Sequence, residues 1–132
     1  MTSKKTEKRT KQVPIFGYFF EMLINVKFAH LMTKSFAKHK ATDELYDELN
    51  ELHDKFLEVY LGKYGRPILN DKYSIEYTNM SDDQFVAYLK KNVKILENDI
   101  FQYIKKEDSD LLSIIDDFKT ILHKTLYLLE LK

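Results

Sequence analysis

Four stretches of this chain place apolar residues every three or four positions for about 20 to 25 residues at a time, the spacing of a helix with one face in a core. The first runs from Pro14 to about residue 34, with Phe16, Phe19, Phe20, Leu23, Val26 and His30 or Leu31 near one face. The second spans about 38–61, and Gly62, Gly65 and Pro67 are placed to stop it. Ser81 followed by Gln84 reads as a capping box for a third, to about 106, with Phe85, Leu89, Val93, Leu96, Ile100 and Ile104 facing inward. Asp108 or Ser109 caps a fourth, at about 109–130, through Leu112, Ile115, Phe118, Leu122, Leu126 and Leu129. Each rod is about 30 to 37 Å long. Rods of equal length pack as a bundle.

The links set the expected topology. The first and third are a few residues each, which makes antiparallel hairpins, whereas residues 63–80 are rich in turn formers and long enough to run back along a whole helix. The expectation is an all-α, up-down-down-up four-helix bundle with one long crossover, the connection pattern of ferritin-like folds. With 132 residues, 44% hydrophobic and 14% aromatic, the chain suffices for one such domain and is too short for two.

The second segment has an unusual outer face. Its apolar stripe is Ala41, Leu45, Leu49, Leu52, Phe56 and Val59. On the opposite side, at about 100° per residue, His39, Asp54 and Glu58 all fall within about 60° of Asp43. Asp43, Asp47 and Glu51, then Asp54 and Glu58, set like charges four apart, which costs a few tenths of a kcal/mol per pair (~0.2–0.5). Lys40, near the edge of that stripe, can offset part of this; a bound cation or a partner is the alternative.

Absence of cysteine excludes a disulfide framework, a thiolate metal site and a cysteine nucleophile. The first residues, MTSKKTEKRTKQ, lack the apolar run of a signal peptide, and no stretch approaches 18 uninterrupted apolar residues, so a cytoplasmic protein with no membrane contact is expected. Net charge is zero but unevenly spread. Lys4, Lys5, Lys8, Arg9 and Lys11 against Glu7 make residues 1–12 basic, and the remainder is acidic by the same amount. Residues 1–13 are expected to be a disordered basic tail, either merely solubilising or in contact with DNA.

The run FAHLMTKSFAKHKATDELYDELNELHDKFLEVYLGKYGRP resembles the end of the first helix and the second helix of Dps-like mini-ferritins and of short ferritin-like proteins of phages and other viruses. A histidine, a second histidine followed four residues later by Asp, then Asp with Glu four further on carry the likeness: His30, His39, Asp43, Asp54 and Glu58. The chain departs from that pattern at Leu31, where tryptophan commonly follows the first histidine, and it lacks the Glu-x-x-His pairs of larger ferritins. The resemblance implies oxidation of Fe(II) by peroxide or oxygen, iron storage inside a dodecameric homo-oligomer, and DNA protection. Imidazole and carboxylate ligands suit iron, with manganese or zinc as competitors. A non-catalytic, virus-associated structural or interaction protein, in the host cytoplasm or the virion, is the other expectation.

Geometry adds a condition. His39 with Asp43 and Asp54 with Glu58 lie about 22 Å apart along one helix, so they cannot share an ion within one chain. Across a two-fold axis they can, because His39 with Glu58 and Asp43 with Asp54 have one midpoint, between residues 48 and 49, as an antiparallel helix pair requires. The expected site takes His30, His39 and Asp43 from one subunit and Asp54 and Glu58 from its mate, and dimerisation runs through the second helix. His53 is expected at the surface or behind the ligands.

Overall fold

The computed structural model describes residues 4–67 and 72–131, with side chains from Pro14 onward. These residues form four α-helices, α1 Lys4–Met32, α2 Phe36–Tyr64, α3 Asp82–Glu97 and α4 Ser109–Glu130, with a 3₁₀ turn at Asp99–Gln102. No strand occurs among the described residues.

The helix ends differ from the expected ones for local reasons. α1 is already helical at Lys4, so Pro14 lies inside it, where its missing N–H removes one helical hydrogen bond. Lys4, Lys5, Lys8, Arg9 and Lys11 fall on this part of the helix backbone, and their side chains, with residues 1–3, lie outside the described set. Ser35 caps α2 by accepting the Lys38 N–H at 3.3 Å. Gly62 does not stop that helix; Gly65 does, at φ 81° with its N–H donating to Leu61 O at 2.8 Å, a conformation that a side chain would strain. At Ser81 the capping box forms in both directions, with Gln84 N on Ser81 Oγ and Ser81 N on Gln84 Oε1. α3 stops at Glu97 because Asn98 turns its side-chain amide back onto Lys94 O at 3.0 Å, competing with the helical pattern. Ile100 and Ile104 still reach the core through the tighter turn that follows.

One hydrophobic cluster joins all four helices. The Phe19 ring of α1 lies 4.9 Å from Phe56 of α2 and 5.2 Å from Phe118 of α4, while Phe85, Leu89 and Leu96 enter from α3. Contacts at the ends show which termini meet. Phe16 packs edge-on to Tyr60 and His30 stacks on His39, so α1 and α2 run antiparallel. Asp108, at the start of α4, accepts hydrogen bonds from Tyr64 and from Lys63 at the end of α2, and Lys124 pairs with Glu48 at 3.0 Å farther back. Asp82 pairs with Lys38 at 3.0 Å and accepts from Thr33, which sets the start of α3 beside the first turn. The link before it is fastened to the middle of α1: Asn25 donates to Glu76 O and accepts from Thr78 N, and Glu21 accepts from Glu76 N.

Candidate metal centre on the first hairpin

The turn from α1 to α2 is held by a reciprocal pair of hydrogen bonds. His30 Nδ1 lies 2.8 Å from His39 O, and His39 Nδ1 lies 2.9 Å from His30 O, with the two rings stacked at 3.8 Å. A carbonyl oxygen only accepts, so both Nδ1 atoms carry the proton. In the neutral rings each Nε2 then holds a free lone pair, the tautomer that metal-ligating histidines adopt when their other nitrogen donates to a backbone carbonyl. Thr42, buried, places Oγ1 3.2 Å from His30 Nδ1 and is itself anchored on Lys38 O at 2.8 Å. His30 Nε2 is 3.9 Å from Asp43 Oδ1, too far for a hydrogen bond.

Three of the five expected ligands therefore come together at this turn: His30, buried, and His39 and Asp43, exposed. Asp54 and Glu58 project into solvent farther along α2. Among the described residues no group of three or more His, Asp or Glu side chains is placed to hold an ion. Lys40 forms no ion pair with these acids among the described residues; its Nζ sits 5.7 Å from the Phe36 ring centre. Asp43 and Asp54 approach only histidines, and Asp47, Glu51 and Glu58 have no ion pair among the described residues.

Of the two places expected for His53, the surface is excluded. It is buried, with its ring 5.1 Å from Phe20 and 6.0 Å from Phe19 and its Nε2 without a hydrogen-bond partner. Burial holds its pKa below the ordinary imidazole range, against a smaller upward pull from Asp54, whose Oδ1 lies 3.9 Å from Nδ1. In the sequence His53 lies about 80° from Asp43, and it is the packing of α1 against that side of α2 that buries it.

Beside the acidic face lies an apolar cleft of about 330 Å³ between α1, α2 and the crossover, lined by Leu23, Ile24, Lys27, Phe28, Leu31, Tyr46 and Tyr77. Lys27 Nζ stands 4.9 Å over the Tyr46 ring, and Phe28 meets Tyr77 edge-on at 5.1 Å. Pro14–Met32 is long and apolar enough, by length and composition, to cross a membrane.

Fold and surface define a small four-helix protein with a paired-histidine turn and an acidic outer face. It belongs to DUF5856, a family of unknown function whose model matches residues 30–129, a span that contains all five candidate ligands and none of the basic residues before Pro14. The chain is 36% identical over 104 residues to an uncharacterized 14.6 kDa protein from the mobD-ri intergenic region of Enterobacteria phage T4, covering 79% of this chain and 76% of that one. No solved structure matches it. These findings overturn the resemblance to Dps-like mini-ferritins, since neither the family nor the phage protein points to Dps or to ferritin-like proteins. Histidines and acids at helical spacing arise on the outer side of many amphipathic helices. The five-residue pattern, His30 on α1 and the other four along α2, carries no lineage.

Proposed function

We propose that this protein binds a divalent transition metal, iron before manganese or zinc, at dinuclear-type sites each completed by two copies of the chain, and that Fe(II) is oxidised there. The observation that carries the reading is the histidine clasp, which fixes both imidazoles as Nδ1–H tautomers and leaves both Nε2 lone pairs free, that of His30 3.9 Å from Asp43 Oδ1. The shared midpoint of His39 with Glu58 and of Asp43 with Asp54 supports a two-fold pairing that brings the second half of the site, and a cation there would offset the acidic face. The finer topology belongs to the same proposal: an up-down-down-up bundle whose single crossover, strapped to α1 by Glu21 and Asn25, returns the chain to the first turn.

Peroxide, as co-substrate, takes one electron from each of two Fe(II) ions and leaves as hydroxide. The chain's own part is to hold both ions by imidazole and carboxylate close enough to react with one oxidant. The test is anaerobic calorimetric titration of metal-free protein with Fe(II), Mn(II) and Zn(II), followed by peroxide and measurement of ferric absorbance. Saturable Fe(II) binding is expected, together with its loss in Asp54→Ala/Glu58→Ala, whose side chains are exposed and take no part in the turn.

A second reading, a virus-associated interaction protein without redox chemistry in the host cytoplasm or the virion, is favoured by the phage T4 relative and the apolar cleft. Wild-type protein that self-associates and binds none of the three metals would select it.

A further inference from the structure

We infer that the apolar outer face of α1 is the core of a two-fold interface between copies of this chain, and that it holds the pair together with or without metal. Phe20, Ile24 and Leu31 are 42%, 36% and 59% exposed, follow one another at helical spacing, and run beside the cleft floored by Tyr46. Three exposed apolar side chains in line, with Lys27 between them drawn over the Tyr46 ring, mark on a small protein a surface that is covered in use.

The neighbouring charges narrow what covers it. Asp43, Asp47, Glu51, Asp54 and Glu58 are exposed along α2 on the same side, so nucleic acid and anionic lipid are repelled; a second copy carries the same acids but also the matching apolar strip that offsets them. The inner side of α1 carries Ile15, Phe19, Met22 and Val26, all at most 1% exposed, so the membrane-like composition of Pro14–Met32 arises from a core face plus this strip.

Register argues for a second copy. α1 and α2 are antiparallel, with Phe20 level with His53 and Lys27 level with Tyr46; both pairs centre between residues 36 and 37. An axis that crosses α2 between residues 48 and 49, where the metal-ligand pairing puts it, therefore crosses α1 between Ile24 and Asn25. That point lies within one residue of the middle of the strip from Phe20 to Leu31. Ile24 then meets Ile24 of the second copy, and Phe20 comes level with the gap between Phe28 and Leu31 there. The strip played no part in choosing the axis, yet it is centred on it. A face about 30 Å long and two helix diameters wide offers about 600 Å² per copy, near the size of a standard specific interface. The choice of axis rests on the shared-site reading, while the strip itself does not.

Two measurements in EDTA test the inference without reference to metal. Sedimentation of wild-type protein at tens of micromolar should give a dimer or a multiple of it, and Ile24→Glu/Leu31→Glu, with unchanged helicity, should give a monomer or at least a 100-fold weaker association. Because the chain has no cysteine, Ile24→Cys should form a disulfide-linked dimer under mild oxidation, since residues at a two-fold axis approach within disulfide range, whereas His123→Cys on the exposed side of α4 should not. Asp54→Ala/Glu58→Ala should remain dimeric, which separates failure of the metal reading from failure of the interface. A monomeric wild type, an unchanged mass in Ile24→Glu/Leu31→Glu, equal crosslinking at Ile24→Cys and His123→Cys, or flotation of the wild type with phosphatidylcholine vesicles would each overturn the inference.

Discussion

A buried imidazole with an unpaired nitrogen costs a fold stability, and His53 is one. Its folded pKa is depressed by burial, so the folded state favours the neutral ring. As pH drops through the ordinary imidazole value, about 6.5, the unfolded chain takes up a proton that the folded chain resists, and stability falls. Above that value the group contributes no pH dependence. Urea unfolding should therefore show a lower midpoint at pH 5.5 than at pH 7.5. His53→Leu should flatten that part of the profile and raise stability at pH 7.5 by up to about 1 kcal/mol, because it removes an unsatisfied acceptor. An unaltered pH profile in the variant would count against this account. The apolar stripe of α2 was legible at Leu45, Leu49 and Phe56, but periodicity measures a stripe's centre better than its width. Phe20, on another helix, decides that His53 is inside, and no local pattern contains that information.

At the scale of elements, the helices were readable and their ends only partly so. Four apolar stripes are a property of composition at fixed spacing, whereas an end depends on which of several polar groups takes a backbone partner. Ser81 and Gln84 announced their reciprocal cap, but Gly62 and Gly65 are equivalent on paper, and only Gly65 takes the left-handed conformation. Asp108 shows the same competition. It sits at the start of α4 without capping it, and accepts instead from Lys105 N at 2.9 Å, from Tyr64 and from Lys63. Burial raises its pKa, and these hydrogen bonds outweigh burial and hold it below the usual carboxylate range. Its contribution is thus present above the ordinary carboxylate value of about 3.9 and is lost as pH falls through the depressed one. Asp108→Asn should cost about 2 kcal/mol at neutral pH through weakened charge-assisted bonds, read as a lower denaturation midpoint with the helical signal intact. A loss equal to that of an exposed control such as Asp116→Asn would contradict the role assigned to this clasp.

The whole molecule is where the proposed chemistry must be tested, because the proposal puts its halves on different chains. His39→Ala/Asp43→Ala and Asp54→Ala/Glu58→Ala should each lack Fe(II) oxidation, yet recover some when co-expressed. In a mixed dimer one site receives both intact halves and the other neither, so random pairing leaves about one site in four whole. If both variants fold and form common dimers but the mixture oxidises no more iron than either alone, the shared site is wrong. What the sequence carried toward this site was the face: five residues of three types on two adjoining helices. What it lacked was the clasp, since a hydrogen bond from a ring to a carbonyl nine residues away depends on where the turn closes.

That clasp has a consequence for how such a chain can change over generations. Each imidazole closes the first turn by donating to the other's backbone, so the two rings answer to folding before they answer to any ion. A lineage that abandoned metal would be free to replace Asp54 and Glu58, which touch nothing essential to the hairpin, while still being obliged to keep both histidines. Inserting a residue between them would break two bonds at once. The history of the site should therefore be written in its carboxylates, and the histidines should be the last of it to go.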